Sequence, residues 1–252
     1  MTKSRFRSHF SALAAFVIIL IMWEAAVWIA DIRPILLPAP TLILREIAGD
    51  SVWYMQNAGY TLLTTLSGFV LSVVIGVLIA LAVVNLRWFE NAIYPLIVSF
   101  NSVPKVALAP LMVVWMGTGA KPQIAVAFLI AVFAIIVDAV HGLRSVPSDV
   151  HDLGRVLKGS PVDFFFKVRL PCAMPSILAG MKVAISLALV GAIVGEFVAS
   201  QRGLGYIILM AQGNFDTPRV FAALVILGGM GMLLFSLLGV VERRLTSWRD
   251  VR

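Results

Sequence analysis

From Tyr60 to Val84 the chain carries no charged side chain, and runs of similar character recur at about 12–30, 91–115, 122–140, 176–198 and 220–241. Each run is close to the roughly 20 helical residues that cross a hydrocarbon layer of about 30 Å. Inside such a layer every backbone donor and acceptor must be satisfied by the segment itself, which leaves helices or closed barrels. Continuous apolar runs, as opposed to short alternating ones, select helices. Composition agrees: 60% of the 252 residues are hydrophobic and 13% are charged, where a soluble domain has about 25% charged. Disorder is excluded by 15 Phe and 6 Trp. The expected fold is all-α and polytopic, a single membrane domain over 1–252 with about six transmembrane helices.

The first run follows Lys3, Arg5 and Arg7, a start shared with signal peptides. It ends in Asp31-Ile32-Arg33-Pro34 with no small-residue cleavage site, and is read as a retained span. With the N-terminus in the cytoplasm, the inner segments hold thirteen Lys and Arg and the outer segments five. The excess of basic residues therefore places both termini in the cytoplasm. The net charge of +7 sits between apolar runs, where it reads as orientation in a bilayer and not as a nucleic-acid surface.

Enzyme and metal chemistry find little support. Cys172 is the one cysteine and cannot form an intrachain disulfide, and His9, His141 and His151 are scattered. No Gly-rich turn ending in Gly-Lys-Ser/Thr occurs. If ATP drives this protein, another chain hydrolyses it.

The most informative hydrophilic stretch follows the fourth run. Ser148 suits a helix N-cap, and Val150, Leu153 and Leu157 follow at helical spacing. Gly159 breaks that helix. Ser160 caps a second one, Pro161 fits its first position and Asp163 completes a capping box. Phe164, Phe165 and Val168 supply apolar contacts, and Pro171 marks a boundary. Two short helices with a hinge are expected beside the membrane. Such a helix either lies in the interface or docks into a groove on a cytoplasmic partner, and its spacing serves both.

The segment Asp152-Leu153-Gly154, Lys158-Gly159 and Val168-Arg169-Leu170-Pro171 resembles the cytoplasmic signature of binding-protein-dependent ABC permeases, Glu-Ala-Ala, three residues, Gly, nine residues, Ile, any residue, Leu-Pro. Asp152 matches the Glu, Leu153 and Gly154 stand at the two Ala positions, and Lys158 stands at the Gly position with Gly159 one place later. Val168, Leu170 and Pro171 match the end. More of the chain resembles the nitrate/sulfonate/taurine/bicarbonate permease branch. The matching stretches are Leu37-Pro38-Ala39-Pro40, Ser102 to Leu111 with Trp115-Met116-Gly117-Thr118-Gly119, Pro175 with Ile177-Leu178-Ala179-Gly180, Arg202 to Tyr206, and Glu242-Arg243-Arg244-Leu245. A lone Leu-Pro is weak; the order and spacing of these stretches over residues 35–250 is specific.

The resemblance implies a type I ABC importer permease in a prokaryotic plasma membrane, the inner membrane of a Gram-negative cell. A dimer of cytoplasmic ATPase subunits, binding ATP and magnesium, would grip the coupling helices within 148–170 through Asp152, Leu153, Gly154, Lys158, Gly159, Ser160, Leu170 and Pro171. A second copy of the permease would complete the path, and an external or periplasmic binding protein would deliver the solute. The permease itself would hold no cofactor or metal and would catalyse no reaction. The branch handles sulfonates, taurine and nitrate, which makes a small organic or inorganic anion the first expectation. A pyrimidine-like or other vitamin-precursor heterocycle is the alternative.

Single residues add candidates for the path. Asn101, Pro104, Lys105 and Pro110 interrupt the third span, and freed backbone there must face protein or a watery path. Lys105 either attracts an anion or snorkels to an interface. Glu196 ends the fifth span before Arg202-Gly203-Leu204-Gly205, as an outer contact on the path or as a wet helix end. Glu24 lies inside the first span, where an ionised group costs about 2.5–3.5 kcal/mol. Asp138 and Lys182 are placed near the inner interface. Gly68 and Gly76, with Gly191 and Gly195, permit close helix packing. An ion-coupled secondary transporter, a membrane enzyme or a scaffold subunit are the competing readings; the first would show internal repeats and the second a clustered His/Asp/Ser constellation, and neither is visible.

Overall fold

The computed structural model describes residues 2–147, 149–150, 152, 156 and 160–246, and among them there is no strand. Helix α1 is Thr2–Ile29, α2 Pro40–Gly49 and α3 Ser51–Asn85. A π turn, Phe89–Ile93, leads into α4, Tyr94–Asn101, and a 3-10 turn, Lys105–Leu108, leads into α5, Ala109–Met116. Helix α6 is Ala120–Arg144. Helix α7, Pro161–Phe164, continues through a π turn, Phe165–Arg169, into α8, Leu170–Ala199. Helices α9, Leu204–Gly213, and α10, Thr217–Leu245, complete the chain.

Helices α3, α6 and α8 form the centre, and small side chains set their spacing. A Cβ added to Gly68 would lie 2.5 Å from Ala127 Cβ, and one on Gly76 would lie 2.7 Å from Ile135 Cγ2. From the opposite side, a Cβ on Gly191 would lie 2.6 Å from Ala127 Cα and one on Gly195 2.7 Å from Gln123 Cα. Helix α6 is therefore pressed between α3 and α8, with Ala131, Ala184, Ala188 and Ala192 fully buried around it. Between helices in lipid, this close van der Waals contact replaces the hydrophobic drive that water would supply.

Four segments are long and apolar enough to cross a membrane: Ser51–Asn85, Ala120–Arg144, Val162–Ala199 and Thr217–Leu245. They coincide with the second, fourth, fifth and sixth expected spans. The third is a pair, Phe89–Asn101 and Lys105–Met116, bent by 89°, and the first yields a shorter apolar helix, Ala14–Ile29. The helix that contains the fifth expected span, 176–198, begins well before it, at Val162. The helix foreseen after Ser160 is its base, and Pro171 is not a boundary. Proline has no N–H and its ring crowds the carbonyl four residues back. For Pro171 that carbonyl belongs to Lys167, inside the π turn, where the helical ladder is already out of register.

Candidate functional site

The break in the third span builds a polar notch. Asn101 closes α4, Pro104 is extended (φ −68°, ψ 92°) and Lys105 opens the next turn. Pro110 falls in the first turn of α5, where its missing N–H costs nothing. The Lys105 ammonium donates to Asn101 Oδ1 at 2.6 Å and to the Asn101 carbonyl at 3.3 Å, and it stands 4.3 Å from the centre of the Phe133 ring, a favourable cation–π distance. A cavity of about 460 Å³ opens here, lined by Asn101, Lys105, Phe133 and Asp138 with aliphatic walls from Ile130 and Leu187. Asp138 packs against Gly180, where a Cβ would come within 2.7 Å of Asp138 Cβ. Among the described residues no hydrogen bond or ion pair engages its carboxylate. The break in the third span thus offers an ammonium and an amide, and α6 an aromatic ring and an open carboxylate, in a space sized for a small polar solute. Lys182, in the fifth span, forms an ion pair with Glu242 of α10.

Glu196 is wholly buried and is not a wet helix end. Its Oε1 accepts from the Thr61 hydroxyl at 2.8 Å and its Oε2 from the Gly205 N–H at 2.7 Å. Thr61 Oγ1 accepts the Leu204 N–H at 2.9 Å, and Asn57 Oδ1 accepts the Gly203 N–H at 2.7 Å. Three successive amides that open α9, which the helix leaves without partners, are capped by side chains of α3 and α8. Gly203 has φ +105°, and a Cβ there would run into the Glu196 carboxyl group. The Arg202-Gly203-Leu204-Gly205 turn is therefore a latch. Beside it opens a cavity of about 540 Å³ lined by Tyr60, Thr118, Ser200 and Arg202.

Glu24 acts locally. Its carboxylate accepts from the Thr41 N–H at 3.0 Å, the Thr41 hydroxyl at 2.8 Å and Trp28 Nε1 at 3.2 Å, so it caps the start of α2.

At the opposite end of the bundle, Asp149, Val150, Asp152 and Val156 are helical, with Asp152 exposed. The Ser160 carbonyl accepts the Phe164 N–H at 3.0 Å. Leu170 and Pro171 are half-buried, Leu170 against an apolar cluster around Val140, Leu143 and Ala173. Leu153, Gly154, Lys158 and Gly159 lie outside the described residues. Among the described residues no group of three or more His, Cys, Asp or Glu could hold a metal ion.

Sequence reasoning left out Thr61, Asn57, Phe133, Asn85 and the structural role of Arg169. The first two carried a signal: Asn57, Thr61 and Thr65 are polar, one helical turn apart, on a helix without charge.

This helical bundle with a broken third span has the fold of type I ABC importer permeases. The chain belongs to the family of binding-protein-dependent transport system inner membrane components, whose model matches residues 72–247. It is 32% identical to the riboflavin transport system permease protein RibX of Chloroflexus aurantiacus, over 92% of this chain and 87% of that one. It is also 32% identical to the formylaminopyrimidine transport permease protein ThiX of Halalkalibacterium halodurans, over 93% and 94%. Identity to the putative aliphatic sulfonates transport permease protein SsuC of Bacillus subtilis is 27%, over 92% and 85%. Among solved structures, an inward-facing MetNI methionine ABC transporter chain shares the fold at a TM-score of 0.67 and 19% identity, over 83% of this chain and 99% of that one.

Proposed function

We propose that this permease imports a small nitrogen heterocycle through the notch at the break of its third span, driven by a separate dimer of ATPase subunits that binds ATP and magnesium. The observation that carries the solute class is the open carboxylate of Asp138 in the same cavity as Lys105 and Asn101. An amino-substituted heterocycle presents N–H donors to a carboxylate, ring acceptors to an ammonium or amide, and a flat face to Phe133. A charged anion would meet repulsion from Asp138. Two of the 32% identical relatives carry riboflavin and formylaminopyrimidine in their names, which supports the same class. The second reading, an anion such as a sulfonate, taurine or nitrate, is favoured by the Lys105 ammonium and by SsuC and the nitrate import permease protein NrtB of Leptolyngbya laminosa, 30% identical over 74% of this chain.

The 148–170 coupling segment faces the cytoplasm with both termini, and the Asp152, Leu153, Gly154, Lys158, Gly159, Ser160, Leu170 and Pro171 positions meet the ATPase. A second copy of this chain completes the path. The latch end faces outward, toward a solute-binding protein. The solute must bind the two transport states unequally, since equal binding shifts no population.

The test is uptake by the reconstituted complex of radiolabelled formylaminopyrimidine and riboflavin against nitrate and an alkanesulfonate. Heterocycle uptake is expected, and Asp138→Asn is expected to lower it about tenfold or more, since a hydrogen bond to a charged group contributes about 1.5–3 kcal/mol. Uptake confined to the anions, unchanged or raised in Asp138→Asn, would establish the second reading in its place.

A further inference from the structure

The segment read as the ATPase-facing lever leaves the bundle at Arg144 and returns through the π turn Phe165–Arg169. A lever moves its load only if its base does not give. A π turn, with its helical ladder out of register, is a natural place for the base to give. Arg169 spans this point. Its Nε donates to the Leu143 carbonyl at 3.0 Å, and Nη1 donates to Asn85 Oδ1 at 3.1 Å. The Leu143 carbonyl is among the last four of α6, which have no partner within the helix and carry the negative end of its dipole. Asn85 is the last residue of α3, and its amide is oriented by donating to the Leu81 carbonyl at 2.9 Å. One guanidinium therefore joins the start of α8 to the ends of α6 and α3. Contact at the same level is close: a Cβ on Gly142 would lie 2.8 Å from the Ala173 carbonyl oxygen. Arg144 adds a tie to Glu90 at 2.7 Å, but both side chains are more than 40% exposed, and such pairs hold weakly.

We propose that Arg169 is a positioning residue that staples the two ends of the 145–168 segment to each other and to α3, so that displacement of the segment is delivered to α3, α6 and α8 together. The inference rests on the reading of that segment as the ATPase contact. Arginine suits the role because its planar fork reaches two acceptors in different directions, which a lysine ammonium does on a flexible stem without fixed geometry. Without the staple, ATP hydrolysis continues while the segment turns about the π turn and the spans stay in place.

The experiment uses the whole complex with its ATPase, in a Cys172→Ser background carrying Val137→Cys as a reporter in the notch. ATP turnover and the maleimide labelling rate of the reporter are measured, the latter with and without trapping by ADP and vanadate. With Arg169 present, trapping is expected to change labelling about tenfold. In Arg169→Ala, turnover should stay within about twofold while the trapping response shrinks to about twofold or less. Arg169→Lys should fall between them. If Arg169→Ala does not assemble, Asn85→Ala, which removes one of the two acceptors, is expected to show a smaller loss in the same direction. A trapping response in Arg169→Ala or Asn85→Ala equal to that of the parent overturns the staple, as does loss of turnover and response in equal proportion. If the parent complex itself turns over ATP with no trapping response, or retains no ATPase, the lever reading has failed and the staple with it.

Discussion

Glu196→Ala is expected to destabilise the permease by about 3 kcal/mol or more. Removal of the carboxylate strands the Gly205 N–H in a space closed to water and leaves the Thr61 hydroxyl only its longer contact with the Asn57 carbonyl, at 3.3 Å. Each buried donor left without an acceptor costs about 1–3 kcal/mol. In thermal unfolding of the detergent-solubilised protein the midpoint should fall by about 10 °C, at about 2–4 °C per kcal/mol for a chain of this size. Glu196→Gln should lie between, because its amide keeps one acceptor and turns a second donor toward existing donors. Thr61→Ala should cost less in the Glu196→Ala background than alone, since the two side chains share one hydrogen-bonded unit. Additive losses would show that the latch is not a unit. Gly203→Ala should resemble Glu196→Ala, because its φ of +105° and the adjacent carboxyl group both exclude a side chain.

The readable part of this molecule is the part written in local pattern. Long apolar runs announce α3, α6, α8 and α10, and Asn101, Pro104 and Lys105 mark the break at the residues where the chain turns by 89°. The order of short motifs gave the family. What stayed hidden depends on groups distant in sequence. Thr61 and Glu196 are 135 residues apart, and nothing in either neighbourhood names the other. The Arg169 contact with the Leu143 carbonyl joins a side chain to a backbone atom, which no residue pattern encodes. Asp138, placed by hydropathy near an interface, lines the cavity because Phe133, Ala134, Val137 and Asp138 share the α6 face opposite Lys105. The length of the helix that holds the fifth expected span is hidden for a different reason. Proline reads as punctuation in a sequence, and here a π turn lets the helix carry Pro171 without ending.

The second large effect is expected at the seam between α6 and α8. Gly191→Val should cost about 3 kcal/mol, because the new Cβ would sit 2.6 Å from Ala127 Cα and 3.0 Å from both Ala127 N and the Val126 carbonyl oxygen. Those atoms are backbone, so no rotamer change relieves the overlap, and the two helices must separate. Gly68→Ala meets Ala127 from the α3 side, but there the first obstacle is the Ala127 Cβ itself, at 2.5 Å. This difference gives a selective rescue. Ala127→Gly should restore part of the stability lost in Gly68→Ala and little of that lost in Gly191→Ala, measured as unfolding midpoints. Gly228 supplies the control: nothing lies within 4 Å of its added Cβ, and alanine is favoured over glycine in a helix interior by up to about 1 kcal/mol. Gly228→Ala should therefore be neutral or stabilising. Equal rescue of both Ala127-facing variants would mean that α6 shifts as a whole between its neighbours, and that the spacing of the bundle is set elsewhere than at this alanine.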